Sequence, residues 1–233
     1  MNQASRSALR DLRTYGRRRG RTRSPRQQEL WAHVLPRFAL PGSEGALEAP
    51  AGLFSTQVRD VWLEIGFGGG EHLLWQAIHN PDTGVIGCEP FEDGVVKVLA
   101  ALEAEERSNL RLWPDDARPL LRRLPAQSLG RVFILFPDPW PKKRHHKRRL
   151  ITMQSLEDLA RAMRPGAELR VATDIGAYAR AILLAVCGHR GFRWVANRSA
   201  DWRERSSDWP QTRYEGKALA AGRRCYYLRF ERN

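Results

Sequence analysis

Apolar residues along this 233-residue chain fall into short continuous runs, each followed by a stretch of helical spacing. VWLEI (61–65) is such a run; it ends in glycines, and Leu73, Leu74, Ala77 and Ile78 follow on one helical face. The unit then repeats. VIGCE (85–89) precedes a helix predicted over 94–106, LRLW (110–113) a shorter one at ARPLLRRL, and RVFILF (131–136) one with Leu150, Met153, Leu156, Leu159 and Met163. Pro165-Gly166 is the predicted stop of that last helix. ELRVATD (168–174) and a helix over 178–187 complete five βα units; FRWVAN (192–197) and CYYLRF (225–230) close the chain as strands with no helix predicted between them. This alternation predicts an α/β fold: a doubly wound, mostly parallel seven-stranded sheet with an antiparallel edge hairpin.

Upstream the pattern fades. Residues 1–28 are arginine-rich with almost no apolar spacing and are expected to be a disordered basic arm, ahead of one domain over 29–233. LPGSEGALEAPAG (40–52) scatters proline and glycine, so folded structure is expected to begin in earnest near Val58. Charge changes the picture. Of the formal net charge of +13, nine arginines and Asp11 place +8 within residues 1–26, and the block 142–149 adds +6, which leaves the rest near neutral. Two local cationic blocks on a neutral body favour a nucleic-acid partner over a merely solvated face. No run approaches the roughly 18 to 20 apolar residues that span a membrane, and the arginine-rich start lacks a signal peptide's apolar segment. A cytoplasmic protein with no membrane partner is expected. Cys88, Cys187 and Cys225 are far apart with no CxxC spacing, so neither a disulfide framework nor a metal site is expected. Monomer and homodimer both stay open.

EIGFGGGEH (64–72) joins the first strand to the first helix. Gly66, Gly68 and Gly70 permit a tight turn and close approach of backbone to a ligand. Glu64, just before them, would repel a pyrophosphate and attract a ligand bearing an ammonium and a sulfonium. Glu89 closes the second strand, where an acid can bind both ribose hydroxyls, or else cap a helix. Asp116, after the third strand, can accept a hydrogen bond from an adenine amino group. Together these residues point to S-adenosylmethionine, with a nicotinamide dinucleotide as the alternative.

FPDPWPKKRHHKRR (136–149) ends the fourth strand, where doubly wound sheets hold ligands. Its prolines fix the direction of Asp138, and Trp140 offers a stacking face to a base. EIGFGGGEH, GCEPFEDGV, DDA, this segment, ATD and TRYE, in that order, resemble the bacterial tRNA (guanine-N7-)-methyltransferase family of class I methyltransferases over about residues 55–230. The resemblance implies a Rossmann-like methyltransferase sheet and methylation of tRNA at guanosine 46 in the variable loop. It implies that Glu64, Glu89, Asp116 and Asp138 bind cofactor, that Asp138 is also catalytic, and that Lys142, Asp174, Thr212, Arg213, Tyr214 and Glu215 bind substrate. The other members of the basic run, Arg144, His145, Lys147, Arg148 and Arg149, are expected to hold RNA phosphates. Two departures stand out: Glu89-Pro90-Phe91 replaces a common EVH, and His72 stands where serine is common. An exocyclic-amine methyltransferase, suggested by Asp-Pro-Trp, and a noncatalytic RNA-binding protein are the rival readings.

Overall fold

Val61, Leu63 and Ile65 alternate with Trp62 and Glu64 along β1 (Asp60–Ile65), and all five are buried, as a strand covered on both faces requires. The structure, a computed structural model, describes residues 15–16, 18–20, 22–42, 45–47 and 49–233. After β1 come α2 (Glu71–His79), β2 (Thr83–Cys88), α3 (Glu92–Ala104), β3 (Leu110–Trp113), α4 (Ala117–Arg123) and β4 (Leu129–Leu135). Then follow α5 (Met153–Ala162), β5 (Met163–Thr173), α6 (Gly176–Cys187), β6 (Phe192–Trp194), α7 (Ala200–Arg203), α8 (Arg213–Ala220) and β7 (Tyr226–Arg232). The seven strands order as β3-β2-β1-β4-β5-β7-β6. All pairs from β3 to β5 are parallel, and β7 is antiparallel to both β5 and β6. Strand order therefore reverses between β1 and β4, which opens a crevice at their carboxyl ends.

The sheet is the expected doubly wound one with an antiparallel edge, but three expectations change. Folded structure does not wait for Val58. A continuous helix, α1, runs through Pro25–Glu29, a π-helical turn Leu30–Val34 and Leu35–Phe38; it buries Leu30, Val34, Leu35 and Phe38 against α3 residues such as Val95 and Leu99. Ser24 caps it, accepting from the Gln27 N–H while the Gln27 side chain returns to the Ser24 N–H. The boundary expected after residue 28 thus falls inside a helix. Residues 1–14, 17 and 21 of the expected arm lie outside the described residues.

Secondly, Pro165-Gly166 does not stop α5. That helix ends at Ala162, and Met163 already pairs with Leu129 in the sheet. Arg164 to Ala167 then bulge opposite Gly130 before Glu168 pairs with Arg131, with Gly166 at φ +77° making the bend. Thirdly, β6 and β7 are joined not by a bare hairpin but by α7 and α8. Trp209 and Ala218 of this long connection cover one face of the sheet at Trp62, Phe133, Ala172 and Tyr227, alongside His72 of α2. Among the described residues no helix is long and apolar enough to cross a membrane.

Candidate active site

At the carboxyl ends of β1 to β4 lies a cleft of about 420 Å³, a volume suited to a nucleoside-sized ligand. Gly66, Gly68 and Gly70 turn through φ values of +80°, +56° and +83° between β1 and α2, a region that side chains other than glycine rarely enter. A Cβ on Gly94 in the first turn of α3 would stand 2.2 Å from the Gly68 carbonyl oxygen, so the glycine turn is pressed against that helix. Glu89, 7% exposed, holds the turn in place: the Gly68 N–H donates to its Oε2 (2.7 Å) and the Phe91 N–H to its Oε1 (2.8 Å). Burial pushes the Glu89 carboxyl up; those two N–H groups oppose the shift, and the charges of Glu64 and Asp138 add to it. Glu89 does not cap α3, whose start at Phe91 has no side-chain cap, and it lines the cleft.

The other two acids are differently placed. Asp116 lines the cleft and caps α4, accepting from the Arg118 N–H and from the Arg118 guanidinium at 2.9 and 2.6 Å. Glu64 lies below the glycine turn, 2% exposed, with its Oε2 2.8 Å from His72 Nδ1. Its charge reaches Glu89, but its carboxylate is held by the protein.

Asp138 stands at the rim. It lines the cleft, is exposed, and makes no hydrogen bond or ion pair among the described residues. Phe136 and Trp140 on either side of it have φ values of +51° and +40°. Bulky residues enter that region only at a cost of order 1–3 kcal/mol each, so the backbone is strained on both sides of this carboxylate. Arg149 helps to hold the loop, donating to the carbonyls of Pro139 (2.8 Å) and Trp140 (3.4 Å) while its guanidinium lies 4.8 Å from the centre of the Tyr178 ring. The expected phosphate ligands therefore divide. Arg149 is turned inward and Arg148 sits over the Trp140 ring at 4.9 Å. Lys142, Arg144 and Lys147, on and beside the 3-10 turn Lys143–Arg148, are exposed. His145 meets the edge of Trp140 at 5.8 Å; desolvation, then the charges of Arg148, Arg144, Lys142 and Lys147, push its imidazole down.

Asp174, at the end of β5, is paired with Arg223 at 2.6 Å. In the segment 212–215, Thr212 caps α8 by accepting from the Glu215 N–H. Glu215 is 3% exposed and accepts from Arg205 Nε (2.9 Å) and the Tyr227 hydroxyl (2.7 Å). Arg213 is exposed, and Tyr214 is an exposed ring on the cleft wall. Of this segment, only Tyr214 joins the acids at the cleft.

The sequence as a whole agrees with this arrangement. The family described as "Putative methyltransferase" matches residues 58–228. A tRNA (guanine-N(7)-)-methyltransferase of Rhodospirillum rubrum is 49% identical over 225 residues, 95% of this chain and 88% of that protein. One of Ruegeria sp. strain TM1040 is 49% identical over 94% of this chain and 87% of its own. The chain belongs to the tRNA (guanine-N7-)-methyltransferase family. The solved structure of the 16S rRNA methyltransferase KamB shares the fold, with a TM-score of 0.58 at 19% identity over 81% of this chain and 94% of that one.

In this member of the tRNA (guanine-N7-)-methyltransferase family, the residues that the sequence left unremarked come from the basic arm. Tyr15 and Gly16 line the cleft, and the Tyr15 ring lies 5.1 Å from the Arg148 guanidinium. Arg18 pairs with Asp115 at 2.5 Å; Arg19 and Arg23 pair with Glu92 at 2.9 and 2.7 Å. The arm's charge is therefore partly spent on the domain's own acids. A lone tyrosine among arginines, and the acid pair Glu92-Asp93 opening α3, were the available signals.

Proposed function

We propose that this chain transfers the methyl group of S-adenosylmethionine to N7 of guanosine in tRNA, at position 46 in the variable loop. The observation that carries the reading is Asp138: an exposed carboxylate without a partner among the described residues, set between two strained residues at the mouth of the cleft. The residues present fit the cofactor. Acids surround a turn whose close packing leaves backbone, not side chains, facing the cleft. Glu89 is placed for the ribose, Asp116 for the adenine end, and Glu64 supplies negative charge beneath the amino-acid end. When bound, the cofactor supplies an electrophilic methyl on a positively charged sulfur.

Guanine N7 carries an in-plane lone pair and no proton, so the transfer needs alignment more than a base. Asp138 accepts hydrogen bonds from the N1 and N2 edge of the guanine, sets N7 in line with the methyl, and stabilises the positive charge that develops on the ring. Asp174 acts from the β5 side together with its partner Arg223, and Tyr214 closes the wall. Lys142, Arg144 and Lys147 meet phosphates around the variable loop, with His145 and Arg148 beside them.

The test is tritiated methyl transfer to unmodified tRNA with the modified nucleotide mapped by borohydride and aniline cleavage, which reports N7-methylguanosine. Asp138→Ala should bind S-adenosylmethionine normally in calorimetry and lose turnover by about 10²- to 10³-fold. Turnover near the parental rate would remove Asp138 from the mechanism.

A further inference from the structure

We infer that His72 is a positioning residue: it orients the Glu64 carboxylate for the cofactor's ammonium group while leaving the negative charge of Glu64 intact. The inference rests on the proposed S-adenosylmethionine site and extends it by one layer.

The assignment follows from a chain of hydrogen bonds whose directions are fixed from the far end. Asn80 Nδ2 lies 3.0 Å from the Gln76 carbonyl, which can only accept, so that nitrogen is correctly placed as the donor. The same Nδ2 lies 3.0 Å from Gln76 Oε1, which must then be the amide oxygen. Gln76 Nε2 is confirmed as the donor by the Asp208 carbonyl at 3.0 Å. Its second hydrogen faces His72 Nε2 at 3.1 Å. His72 Nε2 must accept there, so the ring's proton sits on Nδ1, where it is donated to Glu64 Oε2 at 2.8 Å. A doubly protonated ring would set two donors against each other at Nε2. His72 is therefore held neutral, as a donor.

The consequence is electrostatic. A cationic histidine would cancel the charge of Glu64, whereas a neutral one fixes the rotamer and leaves a carboxylate anion below the glycine turn. Glu64, His72 and Gln76 are each no more than 2% exposed, and the rings of Phe133 and Trp209 pack edge-on to His72 at 4.6 and 5.6 Å. With little water to screen it, the charge is felt at Glu89 on the cleft wall.

Calorimetry with the full chain tests this, using S-adenosylhomocysteine and 5′-methylthioadenosine, which lacks the amino-acid end. His72→Leu should weaken S-adenosylhomocysteine binding by about tenfold, the scale of one hydrogen bond to a charged group, and leave methylthioadenosine within about twofold. His72→Asn, whose amide nitrogen can stand where Nδ1 stands, should hold S-adenosylhomocysteine within about threefold of the parent, and His72→Gln, reaching past Glu64, should not. This polar pair keeps the test sharp if the leucine variant fails to fold. In a Glu64→Gln background, His72→Leu should add nothing. Equal loss of both ligands, parental binding by His72→Leu and His72→Gln, or additive effects in the double variant would each overturn the role. A parent that binds neither ligand would overturn the proposed cofactor site itself, a result distinct from any of these.

Discussion

Glu215 lies in the segment read from sequence as substrate-binding, yet its carboxylate faces inward, and replacing it separates the two roles. Glu215→Ala leaves the Tyr227 hydroxyl, on a residue 6% exposed, without its acceptor and Arg205 without its carboxylate. Burial and the hydrogen bond to Glu215 already push the Tyr227 phenol up, a sign of how firmly that proton is held. An orphaned buried hydroxyl costs about 1–3 kcal/mol. Arg205 is 31% exposed and can rehydrate, so its lost pairing adds only about 0–1 kcal/mol. The sum, about 1–4 kcal/mol, corresponds to a fall in Tm of roughly 2 to 16 °C for a chain of this size. Glu215→Gln keeps an acceptor oxygen and should lose about 1 kcal/mol. Thermal unfolding followed by circular dichroism gives the stability, and KM for tRNA measured well below the transition gives the binding. A Glu215→Ala protein that melts within about 1 °C of the parent while its KM for tRNA rises about tenfold would refute the anchoring account and return Glu215 to the RNA surface.

Replacing Lys142, Arg144 and Lys147 together by alanine should make the plot of log K for tRNA against log salt shallower by roughly 2 to 3, three phosphates at about 0.7–0.9 each; an unchanged slope would show that the 3-10 turn faces away from RNA. Gly94→Ala should push the Gly68 turn out of place and weaken S-adenosylmethionine by about tenfold in calorimetry, with about 1–3 kcal/mol of overpacking in urea unfolding; unchanged affinity would mean that the turn gives way at no cost to the cleft. Acid should act through Asp208. Burial alone would raise this carboxyl, but hydrogen bonds from Arg170 and Ser206 and the charges of Arg170 and Arg131 prevail and hold it well below the usual range. The folded-state value lies below the unfolded one, so the contribution is fully present above about pH 4 and is lost as pH falls through the folded value. Asp208→Asn should therefore be less stable than the parent at pH 7 by a margin that narrows as pH falls below about 4 in urea unfolding; a margin that stays constant between about pH 4 and about pH 2 would sink the charge argument.

Much of the fold could be read from the sequence because its strands are buried on both faces and appear as uninterrupted apolar runs; LRLW is the β3 span to the residue. Misreadings occurred where local rules met a tertiary demand. Leu30, Val34, Leu35 and Phe38 have plain helical spacing, but the segment is short and lies between an arginine-rich arm and a stretch rich in proline and glycine. Pro165-Gly166 has the composition of a helix stop, and became a bulge because Met163 is buried in the sheet at 0% exposure. The same contrast holds in the site. Motif order placed Glu89, Asp116 and Asp138 on one cleft, since all three follow parallel strands. It could not show that Glu64, Arg149 and Glu215 each satisfy a protein partner, because those partners, His72, the Pro139 carbonyl and Tyr227, are set by side-chain direction and not by spacing.

The two sides of the Phe136–Trp140 loop differ in charge, the cleft's acids being balanced by Arg118, Arg148 and Arg149 while the 3-10 turn beyond is all basic, and on the proposed reading this difference does chemical work. On the cleft side the buried carboxylates Glu64 and Glu89 favour a cationic cofactor, while Asp116 is paired with Arg118. Outside lie Lys142, Arg144 and Lys147, which attract phosphate. On this reading a tRNA backbone is held at the rim by the exposed cations, and a base, which is neutral, is the part that enters the cleft. Asp138 stands at that boundary, between the strained Phe136 and Trp140, where a flipped guanine would arrive. Its charge is stabilised by the basic turn before reaction and by the methylated ring after it.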